Sequence, residues 1–312
     1  EITSLETLIN NWQSNYNDLL TFLEGGDTPN QLSIIEPAQL PYSPISPNVK
    51  TNVILAAAVG FALAFSAAFL LEYFDNTIKS PEDLAATTVG LTSLGAIRNI
   101  EGSSLNEKLI STQDLFSPIT EAYRQIRTNI QFTAIDQPAR SIMITSSNPN
   151  EGKTTTAANL AVIMAQAELR TIIVDADLRR PTLHKVFQVP NLGGLTNLLS
   201  LDDLEIESQL KDTGVENLKI ITSGPLPPNP SEILGSQRMM QLLQRLERVA
   251  DVIIFDTPPI LAVTDALVLS KRTDGVVIVV KAKYTRRDTL KHSLERLNQV
   301  NAKLLGAVIN DL

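Results

Sequence analysis

The chain has 312 residues, 43% of them hydrophobic and 19% charged, which excludes a disordered or collagen-like polymer and leaves room for two domains. Its formal net charge of −8 argues against a protein that wraps nucleic acid, because phosphate backbones are met by basic faces. With no cysteine, and with only His184 and His292, it offers no disulfide framework, no thiolate nucleophile and no histidine-rich metal centre.

The charge is unevenly placed. Residues 1–78 hold one basic side chain, Lys50, against eight acids, whereas the rest carries 25 basic and 26 acidic side chains and is close to neutral. Two different surroundings are therefore expected. The first residue is Glu1 and not Met, which reads as a fragment with any leader or earlier membrane span cut away. Leu5, Leu8, Ile9, Trp12, Tyr16, Leu19, Leu20 and Leu23 recur at coiled-coil spacing up to Gly25-Gly26. Residues 1–35 are read as the end of an amphipathic helix that needs a partner. Over 36–52, Pro37, Pro41, Pro44 and Pro47 forbid a helix and predict a stiff extended strap.

From Val53 to Leu71 nineteen residues run without a charge, long enough to cross most of a bilayer's hydrocarbon core. Ten of them are Val, Ile, Leu or Phe, which together favour insertion by about 3–6 kcal/mol. A buried helix of a soluble core seldom runs this far without a polar face. A membrane helix is expected over 53–74, with Ala56, Gly60, Ala64 and Ala68 forming a small-residue stripe that lets a second helix approach. Lys50 and Lys79 flank it one on each side, so charge gives no orientation. Ser80-Pro81-Glu82-Asp83 combines a cap, a first-turn proline and acids, and predicts a helix start. Residues 75–115 are read as a juxtamembrane linker and 116–312 as a domain.

Past residue 140, SIMITS, TIIVDAD, LKIITSG, DVIIFDTPP, GVVIVVKA and LLGAVIN alternate with helical stretches. Unbroken apolar runs are strands buried on both faces, so the fold class is α/β, a doubly wound, mostly parallel sheet.

The first strand leads into Ser147-Asn148-Pro149-Asn150-Glu151-Gly152-Lys153-Thr154-Thr155 and then a helix. This is a phosphate-binding loop of the P-loop NTPase kind. The helix N-terminus presents free amides, Gly152 admits the phosphate, Lys153 adds a mobile charge, and Thr154 offers a hydroxyl to Mg²⁺. The usual first glycine is Ser147 here. TIIVDADLRRP delivers Asp175 and Asp177 to a strand's carboxyl end, and DVIIFDTPP delivers Asp256. In open parallel sheets ligands sit there. Three carboxylates beside a triphosphate require a cation, so ATP and Mg²⁺ are the expected cofactors.

These residues resemble the bacterial tyrosine autokinases fused to a Wzz-type chain-length determinant, the co-polymerases of capsule and exopolysaccharide synthesis. EGKTT resembles that family's Walker A, VDADLRRP its Walker A′ and IIFDTPP its Walker B, while LRRPTLHKVF, GLTNLLS and SGPLPPNPSEIL resemble its linking segments. The resemblance implies Lys153, Asp175 and Asp177 as catalytic and Thr154, Asp175 and Asp256 as holding the metal. Lys153 would meet the β and γ phosphates. Asp175 would activate the tyrosyl hydroxyl or share the metal, with Asp177 supporting it. Residues 147–155 and Asn310 would hold the nucleotide. Glu121, Arg124 and Arg127 of EAYRQIRTNI resemble an oligomer-contact helix, which implies a homo-oligomeric ring, and Arg179, Arg180 and Arg287 are read as phosphate or neighbour contacts. Also implied are a polysaccharide polymerase and export machinery and a tyrosine phosphatase as partners. The resemblance, with ATP being cytosolic, further implies an inner-membrane location, with 1–52 outside the cytoplasm and 72–312 inside.

Two features depart from the pattern: no tyrosine cluster is present, the tyrosines being Tyr16, Tyr42, Tyr73, Tyr123 and Tyr284, and Asn148 stands where positioning ATPases carry a second lysine. The alternatives are a chain-length scaffold whose ATP site is an assembly switch without protein phosphorylation, and a membrane-tethered positioning ATPase.

Overall fold

Two units divide the chain, residues 1–70 and 71–312. The structure, a computed structural model, describes residues 2–24, 46–88, 91–100, 102, 104–110, 117–133, 138–200 and 205–312. Gly25-Gly26 and Pro37, Pro41 and Pro44 of the expected strap lie outside the described residues, as does Tyr42.

In the first unit, α1 (Ile2–Glu24) carries the apolar stripe, with Leu5, Leu8, Ile9, Trp12, Tyr16, Leu19 and Leu23 exposed. The apolar run forms α2 (Val49–Phe74), which continues into the second unit and buries none of its residues. It starts before Val53 because Lys50, Thr51 and Asn52 extend the same helix. The one hydroxyl within the apolar run is satisfied inside the helix, Ser66 Oγ donating to Ala62 O at 2.8 Å, as an apolar environment requires.

The second unit runs α3 (Pro81–Thr87), β1 (Ser93–Ala96), α4 (Pro118–Thr133), β2 (Ser141–Ser146), α5 (Lys153–Gln166), β3 (Thr171–Asp175), α6 (Leu183–Val186), α7 (Leu195–Ser200), β4 (Lys211–Asp212), β5 (Leu218–Ile221), α8 (Pro230–Leu234), α9 (Gln237–Val249), β6 (Val252–Asp256), α10 (Asp265–Ser270), β7 (Gly275–Lys281), α11 (Arg287–Gln299) and β8 (Leu304–Asn310). The strands form one sheet in the order β1-β8-β7-β2-β6-β3-β5-β4, parallel everywhere except at the β4–β5 edge. The α/β, doubly wound reading therefore holds. α3 opens as its sequence signals, with the Ser80 hydroxyl accepting from the Asp83 N–H at 3.3 Å. Part of the stretch read as a linker belongs to the sheet: β1 pairs with β8, and Ile78, Leu84 and Leu94 are buried.

β2, β3 and β6 are buried at every position. Alternate residues feed opposite cores. Ile142 and Ile144 of β2 pack with α4 and α5, whereas Met143 joins Leu242, Leu246, Leu290 and Leu294 of α9 and α11. Each face thus has its own helix layer, which is why the strands read as unbroken apolar runs. α5 lies deepest, with Ala157, Leu160, Ala161 and Met164 all within the core.

Candidate functional site

β2 flanks β6 on one side and β7 on the other, so the loop leaving it sits where the chain's winding reverses. Gly152 caps α5 with φ 93°, in the left-handed region, and a Cβ there would lie 2.0 Å from Asn310 Nδ2. Asn310 in turn donates to Glu151 O at 3.2 Å, tying the end of β8 to the loop. Asn150 is also left-handed, at φ 65°. Ser147 needs no such freedom, since its φ is not positive, and its buried hydroxyl accepts from Ser293 Oγ of α11 at 2.9 Å. That is why a serine serves where glycine is usual.

Glu151 is fully buried. Its carboxylate accepts from the Asn148 N–H at 2.9 Å, from Asn148 Nδ2 at 3.3 Å and from Thr285 Oγ1 at 2.7 Å. Burial pushes this carboxyl above the usual range, and the Asn148 and Thr285 hydrogen bonds oppose the push. Its work in the loop is internal bracing.

Lys153 Nζ stands 2.9 Å from Asp177 Oδ2 and 3.5 Å from Asp256 Oδ1, and Thr154 Oγ1 donates to Asp256 Oδ2 at 2.7 Å. Asp175 and Asp256 are paired residues of neighbouring strands, so they stand level at the carboxyl ends of β3 and β6. Both are fully buried. Burial first, and then the mutual repulsion of the carboxylates, pushes Asp175 well above the ordinary aspartate range; burial raises Asp256 despite Lys153 beside it. Burial alone would lower Lys153, but Asp256 and Asp177 hold it above its ordinary value.

The two acids of the β3 end divide their tasks by depth. Asp175 Oδ2 accepts from the Thr182 and Leu183 N–H groups at 3.2 and 3.1 Å, while its buried Oδ1 has no partner. Asp177 instead faces a cleft of about 520 Å³, lined also by Pro149, Asn150, Gly152, Lys153, Thr154 and Thr155. Its Oδ1 accepts from the Arg180 N–H at 3.0 Å. Arg179 also lines the cleft, while its guanidinium makes a fork to buried Asp265, at 2.8 and 3.1 Å, with Ser231 donating to the same carboxylate. Arg180 and Thr182 line the cleft, whereas Arg287 pairs with Asp83 of α3 at 2.8 Å.

The donor set suits magnesium: Thr154 and Asp256 are in contact, and Asp175 Oδ1 is an unused buried acceptor. Among the described residues no cluster of three or more acidic or histidine side chains forms a closed metal cage. Magnesium needs none, as it binds through one or two carboxylates and substrate phosphate.

On α4, Glu121 and Arg124 pair with each other at 3.2 Å, and Arg127 donates to Ile163 O of α5 at 3.2 Å. Motif spacing missed Thr182, Thr285 and Ser293, since only the tertiary pairing of loops brings them to the site. Pro258 and Pro259 stood in a quoted motif, but nothing in their spacing assigned them to the cleft.

A family profile described as "AAA domain" matches residues 139–308. Tyrosine-protein kinase YwqD of Bacillus subtilis is 43% identical over 215 residues, covering 69% of this chain and 90% of that protein. Tyrosine-protein kinase etk of Escherichia coli K12 is 30% identical over 297 residues, covering 89% of this chain, which spans 40% of etk's length. The solved kinase domain of the Escherichia coli tyrosine kinase ETK superposes with a TM-score of 0.68 at 30% identity, covering 75% of this chain and 95% of that domain.

Proposed function

The chain belongs to the bacterial tyrosine-protein kinases, and from that premise we propose that it is a membrane-anchored autokinase whose transfer of the ATP γ-phosphoryl group to protein tyrosine regulates polymerisation and export of an exopolysaccharide or capsule. The observation that carries the reading is the meeting of Lys153, Thr154, Asp177 and Asp256 where the phosphate loop opens on the cleft.

Lys153, held by Asp177 and Asp256, turns its ammonium to the β and γ oxygens when the triphosphate enters. The amides at the start of α5 take the remaining phosphate charge. Thr154 and Asp256 would hold a magnesium ion, with Asp175 available to its water shell, and the ion would supply further neutralisation of the phosphates. The tyrosyl oxygen then forms a bond to the γ-phosphorus as the bond to the β–γ bridging oxygen breaks, and ADP leaves with that electron pair. The proton passes to Asp177, the carboxylate that faces the cleft once Lys153 has swung away. Residues 147–150, 152–155 and Asn310 position the nucleotide, and Glu151 braces the loop from within.

α2 supports membrane anchoring, and the cytosolic supply of ATP places residues 72–312 in the cytoplasm and 1–52 beyond the membrane. Assembly into a homo-oligomeric ring is read on α4, through Glu121, Arg124 and Arg127. A polysaccharide polymerase with its export machinery and a tyrosine phosphatase complete the proposed partners, on the family resemblance. The test incubates the full chain with γ-labelled ATP and magnesium or with a chelator. Label on tyrosine only with magnesium is expected; equal label in both would overturn the mechanism.

A further inference from the structure

The cleft beside Lys153 and Asp177 has a wall that a triphosphate does not use. Pro258, Pro259, Ala262 and Val263, in the turn after β6, line it together with Leu105. Oxyanions gain nothing from hydrocarbon, and Asn310, read as holding the nucleotide, leaves the sheet on the far side of β2, at β8 beyond β7. The apolar wall belongs to β6, on β2's other flank.

The turn is fastened to the loop's own strand. Thr257 N–H and Oγ1 donate to Ile144 O at 3.1 and 2.9 Å, Thr145 Oγ1 donates to Pro258 O at 3.0 Å, and Ile260 N–H donates to Ser146 O at 2.9 Å. A surface held in this way needs no ordering when a ligand arrives, which favours binding of a rigid apolar group. A tyrosine side chain is such a group, an apolar ring with a polar tip.

Resting on the kinase reading, we propose that Pro258, Pro259, Ala262 and Val263 are the acceptor wall, against which the ring of the substrate tyrosine lies with its hydroxyl toward Asp177. The wall fixes the hydroxyl close to the γ-phosphate and selects tyrosine over serine, whose short side chain leaves it uncovered. Specificity for the acceptor and affinity for the nucleotide thus reside on opposite flanks of one loop.

The experiment uses the full chain in detergent, with a poly(Glu,Tyr) copolymer as acceptor. Val263→Asn is expected to raise the KM for copolymer about fivefold or more, Val263→Ile to keep it within about twofold, and both to bind Mg-ATP as the parent does in titration calorimetry. Ala262→Asn, at an exposed position, repeats the test should Val263→Asn fold poorly. An unchanged copolymer KM in the Asn variants, or a parallel loss of Mg-ATP affinity, overturns the wall. Absence of phosphotyrosine on both the chain and the copolymer with the parent protein overturns the kinase reading itself, and the wall with it, whereas phosphotyrosine on the chain alone overturns the wall.

Discussion

Asp175 pits its own burial against its use. Its carboxyl sits above the ordinary aspartate range because burial and Asp256 both disfavour its charge. The unfolded chain has no such penalty, so folding is disfavoured increasingly as pH rises from the ordinary range through the raised folded value. Asp175→Asn keeps an acceptor for the Thr182 and Leu183 amides and loses the charge. Its melting temperature is expected to match the parent at acid pH and to exceed it at neutral pH, while phosphotransfer is lost. A neutral-pH melt at or below the parent's would show that Asp175 is not strained by its charge. Gly152→Ala tests the loop: left-handed strain of about 1–2 kcal/mol and the contact with Asn310 should cut Mg-ATP affinity about tenfold or more, read by calorimetry. At this scale the sequence was informative where chemistry is local, as with Lys153, Thr154 and the strand-end aspartates. It assigned Glu151 to the nucleotide without sight of its partner Thr285, 134 positions away, and it gave the acceptor hydroxyl to Asp175, whereas Asp177 faces the cleft.

Elements were legible in proportion to their burial. The six apolar runs became β2, β3, β5, β6, β7 and β8, each buried enough to need an unbroken hydrocarbon sequence. β1 and β4 escaped notice for opposite physical reasons. Ser93–Ala96 has no β-branched residue and gains its place by pairing with β8, while Lys211–Asp212 is a two-residue edge strand with polar side chains. α5 holds a buried polar residue that the pattern could not explain: Asn159 Nδ2 donates to Lys108 O at 3.0 Å and its Oδ1 accepts from the Ile110 N–H at 2.7 Å. Asn159 thereby fastens the segment carrying Leu105 to the central helix. Asn159→Leu would strand two backbone groups, and a loss of about 2–4 kcal/mol is expected in denaturant unfolding. A change below about 0.5 kcal/mol would mean that water replaces both bonds.

For the molecule as a whole, the charge asymmetry and the uncharged run led to the expectation of two surroundings. The structure leaves α2 with every side chain exposed. Insertion of its apolar run is favoured by about 3–6 kcal/mol, and one central arginine costs about 2.5–3.5 kcal/mol. The parent chain is therefore expected to stay with membranes through an alkaline carbonate wash, and the double variant Val59→Arg with Ala64→Arg to wash off. Retention of the double variant would show that something other than α2 holds the chain. The central claim is that a lysine released by strand-end carboxylates delivers a phosphoryl group to tyrosine. It is tested most directly by phosphotyrosine mass spectrometry of the full chain, with an acceptor copolymer, after incubation with ATP and magnesium, alongside Lys153→Met. Phosphotyrosine in the parent and a fall of about a hundredfold or more in the variant is the predicted result; equal phosphotyrosine in the two would contradict the account.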